Sequence, residues 1–212
     1  MVVRAKTSKP AATRLPSPSV KGRMSVEEAI TRRRSVREYA AKPLSLAQLS
    51  QLLWAAQGIT NQSDGLRAAP SAGALYPLEV CAVVKKGGVV GLDPGIYHYS
   101  ASDNSLTLAK SGDSSPKLKT AALDQDAVGL AAVNLVTTAV LQKTTVKYGD
   151  RGIQYAFMEA GHAAENVFLQ AQSLGLTTVV VGAFDDEAVR EVLGVGASER
   201  PVYIQPVGVP VT

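Results

Sequence analysis

Arg32-Arg33-Arg34-Ser35-Val36-Arg37 places four arginines within six residues, directly after a segment that is predicted to be helical. The helix is predicted from a capping box, in which Ser25 accepts from the backbone of Glu28 and the Glu28 side chain returns to Ser25. Positive charge suits a helix C-terminus, but that role needs only one or two arginines. Guanidinium groups pair well with phosphate and with other planar oxygen edges. The stretch therefore indicates an anion-binding site or, alternatively, a solvated basic face.

Two helices are predicted before the first long strand. In the first, Val26, Ala29 and Ile30 recur at helical spacing and give the helix one apolar face. The second begins with a capping box of Ser45 and Gln48 and ends near residue 58. Its apolar stripe consists of Leu46, Leu49, Leu52, Leu53 and Ala56. The polar segment 59–69 that follows is predicted to be a loop.

The composition is that of an ordinary globular chain. Of its 212 residues, 46% are hydrophobic and 19% are charged, and much of the positive excess lies in the first 37 residues. The single cysteine, Cys81, excludes an internal disulfide, and its apolar neighbours predict a buried, unreactive thiol. No apolar run approaches the length of a membrane span, and the N-terminus lacks the apolar region of a secretory signal. We therefore expect a cytoplasmic protein that does not interact with membranes.

Apolar and β-branched runs predict the strands of a sheet, and one segment rich in small residues predicts its longest helix. The strands are expected at 78–85, 96–99, 106–108, 131–141, 177–181 and 201–209, and the helix at 153–174. Because strands and helices do not alternate strictly, the fold class is predicted to be α+β. The sequence contains neither a GxGxxG nor a Walker motif, which argues against Rossmann and P-loop proteins. We expect a flexible arm over 1–23 and one domain over 24–212.

The segment 70–77, Pro-Ser-Ala-Gly-Ala-Leu-Tyr-Pro, precedes the first long strand. Its small side chains let a flat ligand approach the backbone, and Gly73 permits an unusual backbone dihedral. A tight entry into the strand is the alternative interpretation. In the long helix, His162 with Glu159 or Glu165 resembles a metal-binding pair, but the HExxH spacing is missing. We therefore predict no metal site.

Three motifs in this order resemble those of the flavin-dependent nitroreductases. They are Arg33-Arg34-Ser35-Val36-Arg37, the segment 70–77 and Val181-Gly182-Ala183-Phe184-Asp185. More narrowly, Leu52-Leu53-Trp54-Ala55-Ala56-Gln57-Gly58 and the KYG…R…Y…EAGH stretch from Lys147 look like the SagB-type dehydrogenase branch. The resemblance covers about residues 17 to 210, which is nearly the whole chain.

The resemblance implies a nitroreductase-like fold, in which helices flank a central, mainly antiparallel sheet, and an obligate homodimer with FMN in two interface sites. By position in the motifs, the FMN-binding residues would be Arg33, Arg34, Ser35, Arg37, Pro70, Ser71, Ala72, Gly73, Gly182 and Ala183. The arginines would contact the phosphate, the ribityl chain and the pyrimidine edge, where positive charge favours hydride acceptance. The backbone of Gly182 and Ala183 would face N5, and the turn at 71–73 would come from the other subunit.

The sequence departs from the family pattern in three places. Ala74 stands where many nitroreductases have Asn, so a side-chain contact to the flavin is missing or replaced. Gly182-Ala183 stands where Glu-Gly is common. The sequence also ends just after its last predicted strand, so we expect the phosphate to depend mainly on the arginine cluster.

The reaction that the resemblance implies is hydride transfer through flavin N5, with NAD(P)H, a small organic substrate, or both. In azole-forming SagB-type members, a Lys-Tyr pair is proposed to take the proton from a peptide thiazoline or oxazoline, which would make Lys147 and Tyr148 catalytic. Positive charge from Arg151 could help such a lysine to act as a base. The alternative is a surface lysine beside a packing tyrosine.

Two other classes of protein are alternatives to an oxidoreductase. The first is a flavin carrier without turnover, because binding flavin requires no catalytic side chain. The second is a nucleic-acid-binding protein that uses the basic residues of the N-terminus, although the sequence contains no reader motif. We therefore expect no nucleic-acid partner.

Overall fold

The computed structural model describes residues 12–211. Its helices are α1 (Val26–Arg32), α2 (Leu46–Gln57), α3 (Ser115–Ala121), α4 (Asp126–Leu130), α5 (Gln142–Tyr148), α6 (Arg151–Ser173) and α7 (Asp186–Leu193). Its strands are β1 (Ala12–Arg14), β2 (Tyr39–Ala40), β3 (Ile59–Asn61), β4 (Leu66–Arg67), β5 (Leu78–Val84), β6 (Gly95–Ser100), β7 (Ser105–Ser111), β8 (Val133–Ala139), β9 (Thr177–Thr178) and β10 (Arg200–Pro210).

Eight strands form one sheet in the order β1-β7-β6-β5-β8-β10-β2, and β9 also pairs with β10. Every paired strand in this sheet is antiparallel to its neighbour. The predicted α+β class with a mainly antiparallel sheet is thus confirmed.

The segment 59–69 is not the loop that its polarity predicted, because β3 and β4 pair there as a short hairpin. The Asn61 side chain closes its turn by accepting from the backbone of Asp64 at 3.2 Å. A polar segment can be a β-hairpin as well as an irregular loop, because residues such as Asn and Asp also form the tight turn between two paired strands.

Strand β5 lies at the centre of the core, between β6 and β8. Val80, Ala82 and Val84 belong to the apolar cluster that includes residues of α2 and α6. Cys81 and Val83 point to the opposite face, into the cluster formed with α3, α4 and α7. Because both faces are covered, the strand is nearly continuously apolar.

Cys81 is fully buried within that second cluster, as its apolar neighbours predicted. Burial is the main cause that raises the pKa of its thiol to about 12, and the charges of Glu199 and Glu79 act in the same direction. Its Sγ lies 3.2 Å from Nδ1 of His98, which is half-buried. A thiol in this position is a packing group rather than a nucleophile.

Both predicted capping boxes are present, at Ser25 with Glu28 and at Ser45 with Gln48. The predicted apolar face of α1, in contrast, is only partly buried. Ala29 is buried, whereas Val26 is 64% exposed and Ile30 is 57% exposed. Helical spacing shows which residues share a face, but it does not show what covers that face.

The N-terminal segment supplies the two edge strands of the sheet. Strand β1 pairs with β7 at one edge, and β2 pairs with β10 at the other. Strand β1 lies inside the segment 1–23 that was predicted to be a flexible arm; residues 1–11 of that arm lie outside the described part of the chain. The division into an arm and a domain at residue 23 stays a prediction.

Helix α5 was not predicted, and it separates β8 from α6. The strand predicted at 177–181 is also shorter than expected, since β9 ends at Thr178 and only an isolated bridge joins Val181 to Ile204. Within residues 12–211, no helix combines the length and the apolar character that crossing a membrane requires.

Candidate functional site

The arginine cluster lies beside the segment that leads to the third motif. After α1 ends, Ser35 forms a parallel bridge with Thr178, and the backbone N–H of Val36 donates to the Thr178 carbonyl at 3.0 Å. Thr178 ends β9, four residues before Gly182. The structure therefore brings the first and third sequence motifs to the same edge of the sheet.

The guanidinium groups of this cluster remain available to a ligand. Arg33 is half-buried, and its guanidinium carbon lies 5.1 Å from the centre of the Phe168 ring. Among the described residues, the Arg34 guanidinium donates to the Thr31 and Arg33 carbonyls. Arg37 is exposed. Within residues 12–211 no carboxylate lies within 4 Å of these three side chains. Unpaired guanidinium groups held this close together attract an anion.

Gly182 and Ala183 are both exposed, and their backbone is only partly engaged. The Ala183 carbonyl accepts from Nε2 of Gln125 at 2.8 Å. A Cβ on Gly182 would lie 3.7 Å from the Tyr203 ring, which is an ordinary contact. The space around Gly182 therefore does not by itself require glycine.

The segment 70–77 forms a strained turn. Gly73, Ala74 and Tyr76 all have positive φ, at 61°, 54° and 45°. For a residue other than glycine, such a conformation costs about 1–3 kcal/mol and persists only where its surroundings enforce it.

Tyr76 is fixed by contacts at both ends of the residue. Its N–H donates to Ser71 Oγ at 2.9 Å, and its hydroxyl accepts from the Arg67 N–H at 3.2 Å. The Arg67 guanidinium lies 4.7 Å from the centre of its ring, and Lys143 Nζ donates to its carbonyl at 3.4 Å. These contacts hold the strained turn in place. The sequence pattern does not indicate that Arg67 stabilises this turn by contacting Tyr76.

Lys147 and Tyr148 converge on this turn from the end of α5. A Cβ built on Gly73 would lie 2.7 Å from Tyr148 Oη and 2.9 Å from Lys147 Nζ. The structure thus brings together three residues that the sequence placed in two separate motifs. Glycine is required at residue 73 both by its positive φ and by this close approach.

The surroundings of Lys147 differ from those expected. The side chain is exposed, and its Nζ lies 5.3 Å from the centre of the Tyr148 ring. Arg151 is engaged elsewhere, because it donates to Gln154 at 2.6 Å and lies over the Tyr155 ring. The described contacts of Arg151 are therefore with Gln154 and Tyr155 of α6.

Glu159 is a buried carboxyl group in α6 that sequence reasoning considered only as a possible metal ligand. Its side chain is 2% exposed, and neither carboxyl oxygen has a hydrogen-bond partner among the described residues. Burial raises its pKa to about 7, against the smaller opposing effects of Ser71, Arg67 and Lys143. The signal in the sequence was its place among small residues of the buried helix face, namely Ala156, Ala160 and Ala163.

A metal site has no support in the described residues, because no group of three His, Cys, Asp or Glu side chains in 12–211 could hold an ion. A cavity of about 570 Å³ lies between the segment 19–26, α2 and the second half of α6. Its lining includes none of the predicted site residues. The cavity is therefore separate from the arginine cluster and from the turn at 70–77 with its Lys147–Tyr148 pair.

Comparisons with known proteins agree with this architecture. The nitroreductase family model matches residues 30–209. A protein of Methanocaldococcus jannaschii, provisionally named a nitroreductase, is 44% identical over 183 residues, covering 86% of this chain and 90% of its own. The microcin B17-processing protein McbC of Escherichia coli is 28% identical over 166 residues, covering 76% of this chain and 61% of its own. A solved structure from Ralstonia eutropha JMP134, also provisionally named a nitroreductase, has a TM-score of 0.81 and 27% identity, and the match covers 99% of this chain and 97% of the other.

The protein has an α+β fold with two groups of candidate site residues. The first is the exposed arginine cluster at one edge of the sheet, and the second is the strained turn at Gly73 beside Lys147 and Tyr148. The chain belongs to the nitroreductase family. The family model matches most of the chain, and the alignment with a relative that is 44% identical covers 90% of that relative. The family resemblance inferred from the three motifs is therefore confirmed. The contacts of individual residues to FMN stay predictions.

Proposed function

We propose that the protein is an FMN-dependent oxidoreductase that transfers hydride between NAD(P)H and a small organic substrate. The observation that carries this proposal is the arginine cluster at 33–37, which lies beside the segment leading to Gly182. No carboxylate of the described chain forms an ion pair with Arg33, Arg34 or Arg37. Membership of the nitroreductase family supports the reaction type.

The residues present fit an FMN molecule. Arg33, Arg34, Ser35 and Arg37 would hold the phosphate, the ribityl chain and the pyrimidine edge, because guanidinium groups pair with planar oxygen acceptors. The turn from Pro70 to Gly73 would admit the flat ring, since Gly73 carries no side chain and is exposed. When bound, FMN supplies a group that accepts and donates hydride. The arginines would stabilise negative charge on it, which favours the reduced form.

We further propose that the site is completed in a homodimer. Val26 and Ile30 of α1 and Met158 and Phe157 of α6 are exposed apolar side chains, and α1 packs against α6. A dimer formed through α1 and α6 would bury these side chains, which a monomer leaves in water. The turn at 70–73 would then face the arginine cluster of the partner subunit.

The test is to purify the protein and to measure its absorption spectrum and the flavin released on denaturation. We expect a yellow protein that releases FMN, that NADH or NADPH reduces, and that a quinone or a nitroarene re-oxidises. A colourless protein that cannot be reconstituted with FMN would refute the proposal. A protein that binds FMN without turnover would be a flavin carrier.

A second candidate function is dehydrogenation of a peptide thiazoline or oxazoline. The convergence of Lys147 and Tyr148 on Gly73 favours it, as does the similarity to the microcin B17-processing protein. Such an oxidation removes a hydride and a proton from the ring, and Lys147 and Tyr148 would take the proton. Because Lys147 is exposed in a single chain, a partner or the substrate would have to cover it.

The Lys147→Ala variant distinguishes the two candidates. If the pair takes the proton, the variant should keep FMN but lose azoline dehydrogenation, whereas reduction by NAD(P)H should be retained. Tyr148→Phe, which keeps the ring and removes only the hydroxyl, is the matched variant. If Lys147→Ala dehydrogenates every accepted substrate at the wild-type rate with FMN bound, the pair has no catalytic role.

A further inference from the structure

Glu159 lies in the middle of α6, on the face that packs against the turn at 70–76. Its neighbours on this face are small and apolar, and its carboxyl group is buried without a hydrogen-bond partner among residues 12–211. Ser71 is the polar side chain of the turn that affects the pKa of this carboxyl group, which it lowers against the larger effect of burial. An unpaired carboxylate in such a place is strongly unfavourable, so the position favours the neutral acid.

The charged groups nearby are committed to other partners. Arg67 donates to Gln57 Oε1 at 2.9 Å and lies over the Tyr76 ring, and Lys143 forms an ion pair with Glu79 at 2.6 Å.

Other titratable side chains also lie near the turn or on α6. Lys147 and Tyr148 meet the turn at Gly73, Tyr203 packs on the same small-residue cluster, and His162 of α6 is exposed. Within the described chain, no cation forms an ion pair with Glu159.

We propose that Glu159 is a positioning residue, which in its protonated, neutral form keeps the turn at 71–76 in place against Lys147 and Tyr148. Ser71 provides the connection. Its Oγ already accepts from the Tyr76 N–H at 2.9 Å and keeps a second lone pair. Only the protonated form of Glu159 has a hydrogen that it would donate to this lone pair.

Ionisation of Glu159 would change this arrangement. A buried carboxylate would attract Arg67, whose guanidinium would then leave Gln57 and the Tyr76 ring. Loss of these contacts would release the strained turn. The inference deepens the proposed function and rests on it wherever flavin binding is the readout.

The first experiment needs no flavin and compares the melting temperatures of wild type and Glu159→Gln between pH 5 and pH 8.5. The folded pKa of about 7 lies above the ordinary value of 4.5, so the folded state binds more protons between these values. Wild type should therefore lose stability as pH rises through this window, and the glutamine variant should not. Glu165→Gln, at an exposed residue of the same helix, should follow wild type. Parallel curves for wild type and Glu159→Gln would overturn the proposal.

The second experiment measures FMN affinity at pH 6 and pH 8.5. If only the neutral form of Glu159 supports binding, the apparent Kd of wild type should rise about 30-fold between these pH values relative to that of Glu159→Gln. Glu159→Ala should bind weakly at both pH values, and the glutamine variant should rescue it. An identical pH dependence in wild type and Glu159→Gln would refute the positioning role. If no variant binds FMN at any pH, the proposed function fails, and the melting curves still decide the state of Glu159.

Discussion

Replacing Gly73 with alanine tests whether the turn at 71–76 and the Lys147–Tyr148 pair form one site. At a φ of 61°, any residue other than glycine pays about 1 kcal/mol. The new Cβ would also lie 2.7 Å from Tyr148 Oη and 2.9 Å from Lys147 Nζ, so both side-chain ends must move.

The cost of this movement can be estimated from the contacts that it disturbs. Tyr148 meets Tyr155 edge to face at 5.2 Å, an arrangement worth about 0.5–1.5 kcal/mol. The Lys147 ammonium lies 5.3 Å from the Tyr148 ring, which contributes about 0.5–1 kcal/mol at an exposed site. With the backbone cost of about 1 kcal/mol, Gly73→Ala should lower the free energy of unfolding by about 2–3.5 kcal/mol if both contacts are lost.

Gly87→Ala is the matched control. Gly87 has a φ of 70°, but among residues 12–211 no atom other than those of Gly87 and its two chain neighbours lies within 4 Å of the position of its Cβ. It should therefore show the backbone cost of about 1 kcal/mol alone. Urea denaturation of the two variants, followed by tyrosine and tryptophan fluorescence, measures the difference. Equal losses of stability, together with wild-type FMN affinity in Gly73→Ala, would show that the turn and the pair are independent.

Three further predictions follow from other parts of the structure. Arg33→Ala should raise the Kd for FMN about 10- to 100-fold, because a hydrogen bond to a charged group contributes about 1.5–3 kcal/mol; an unchanged Kd in a fluorescence titration would exclude this arginine from the site. The Cys81 thiol, with a pKa of about 12, should not react with a disulfide reagent at pH 8 until the protein is denatured; rapid labelling of the native protein would contradict its burial. In urea denaturation, the stability of Glu159→Gln relative to wild type should increase by about 3 kcal/mol from pH 4.5 to pH 8, and a constant difference would be the contrary result.

The parts of the fold that the sequence predicts are those that depend on neighbouring residues. The two capping boxes involve residues three positions apart, so they can be identified without knowing the rest of the structure. The central position of β5 follows from its continuous apolar run. Strand β1 has no such pattern, because Ala12–Arg14 is short and polar and its pairing is provided by β7.

The candidate site could be predicted only in part. The motif order draws attention to the arginine cluster and the glycine turn, and Lys147 and Tyr148 precede the long helix as the sequence indicates. The sequence does not predict α5, the short helix that carries this pair and that ends at Gly149, where φ is 56°. The burial of Glu159 depends on how α6 meets the turn, which is a tertiary contact that local pattern does not reveal.

The strand order has a consequence for the way in which the chain folds as it is synthesised. Of the described strands, β10 is translated last, yet it lies between β8 and β2 and also pairs with β9. The segment that includes Tyr39 is translated early and pairs with Pro210 at the far end of the chain. Contacts of such large sequence separation form slowly, and unpaired strand edges promote aggregation until they do. We therefore expect the nascent chain to need protection by chaperones until β10 has emerged from the ribosome.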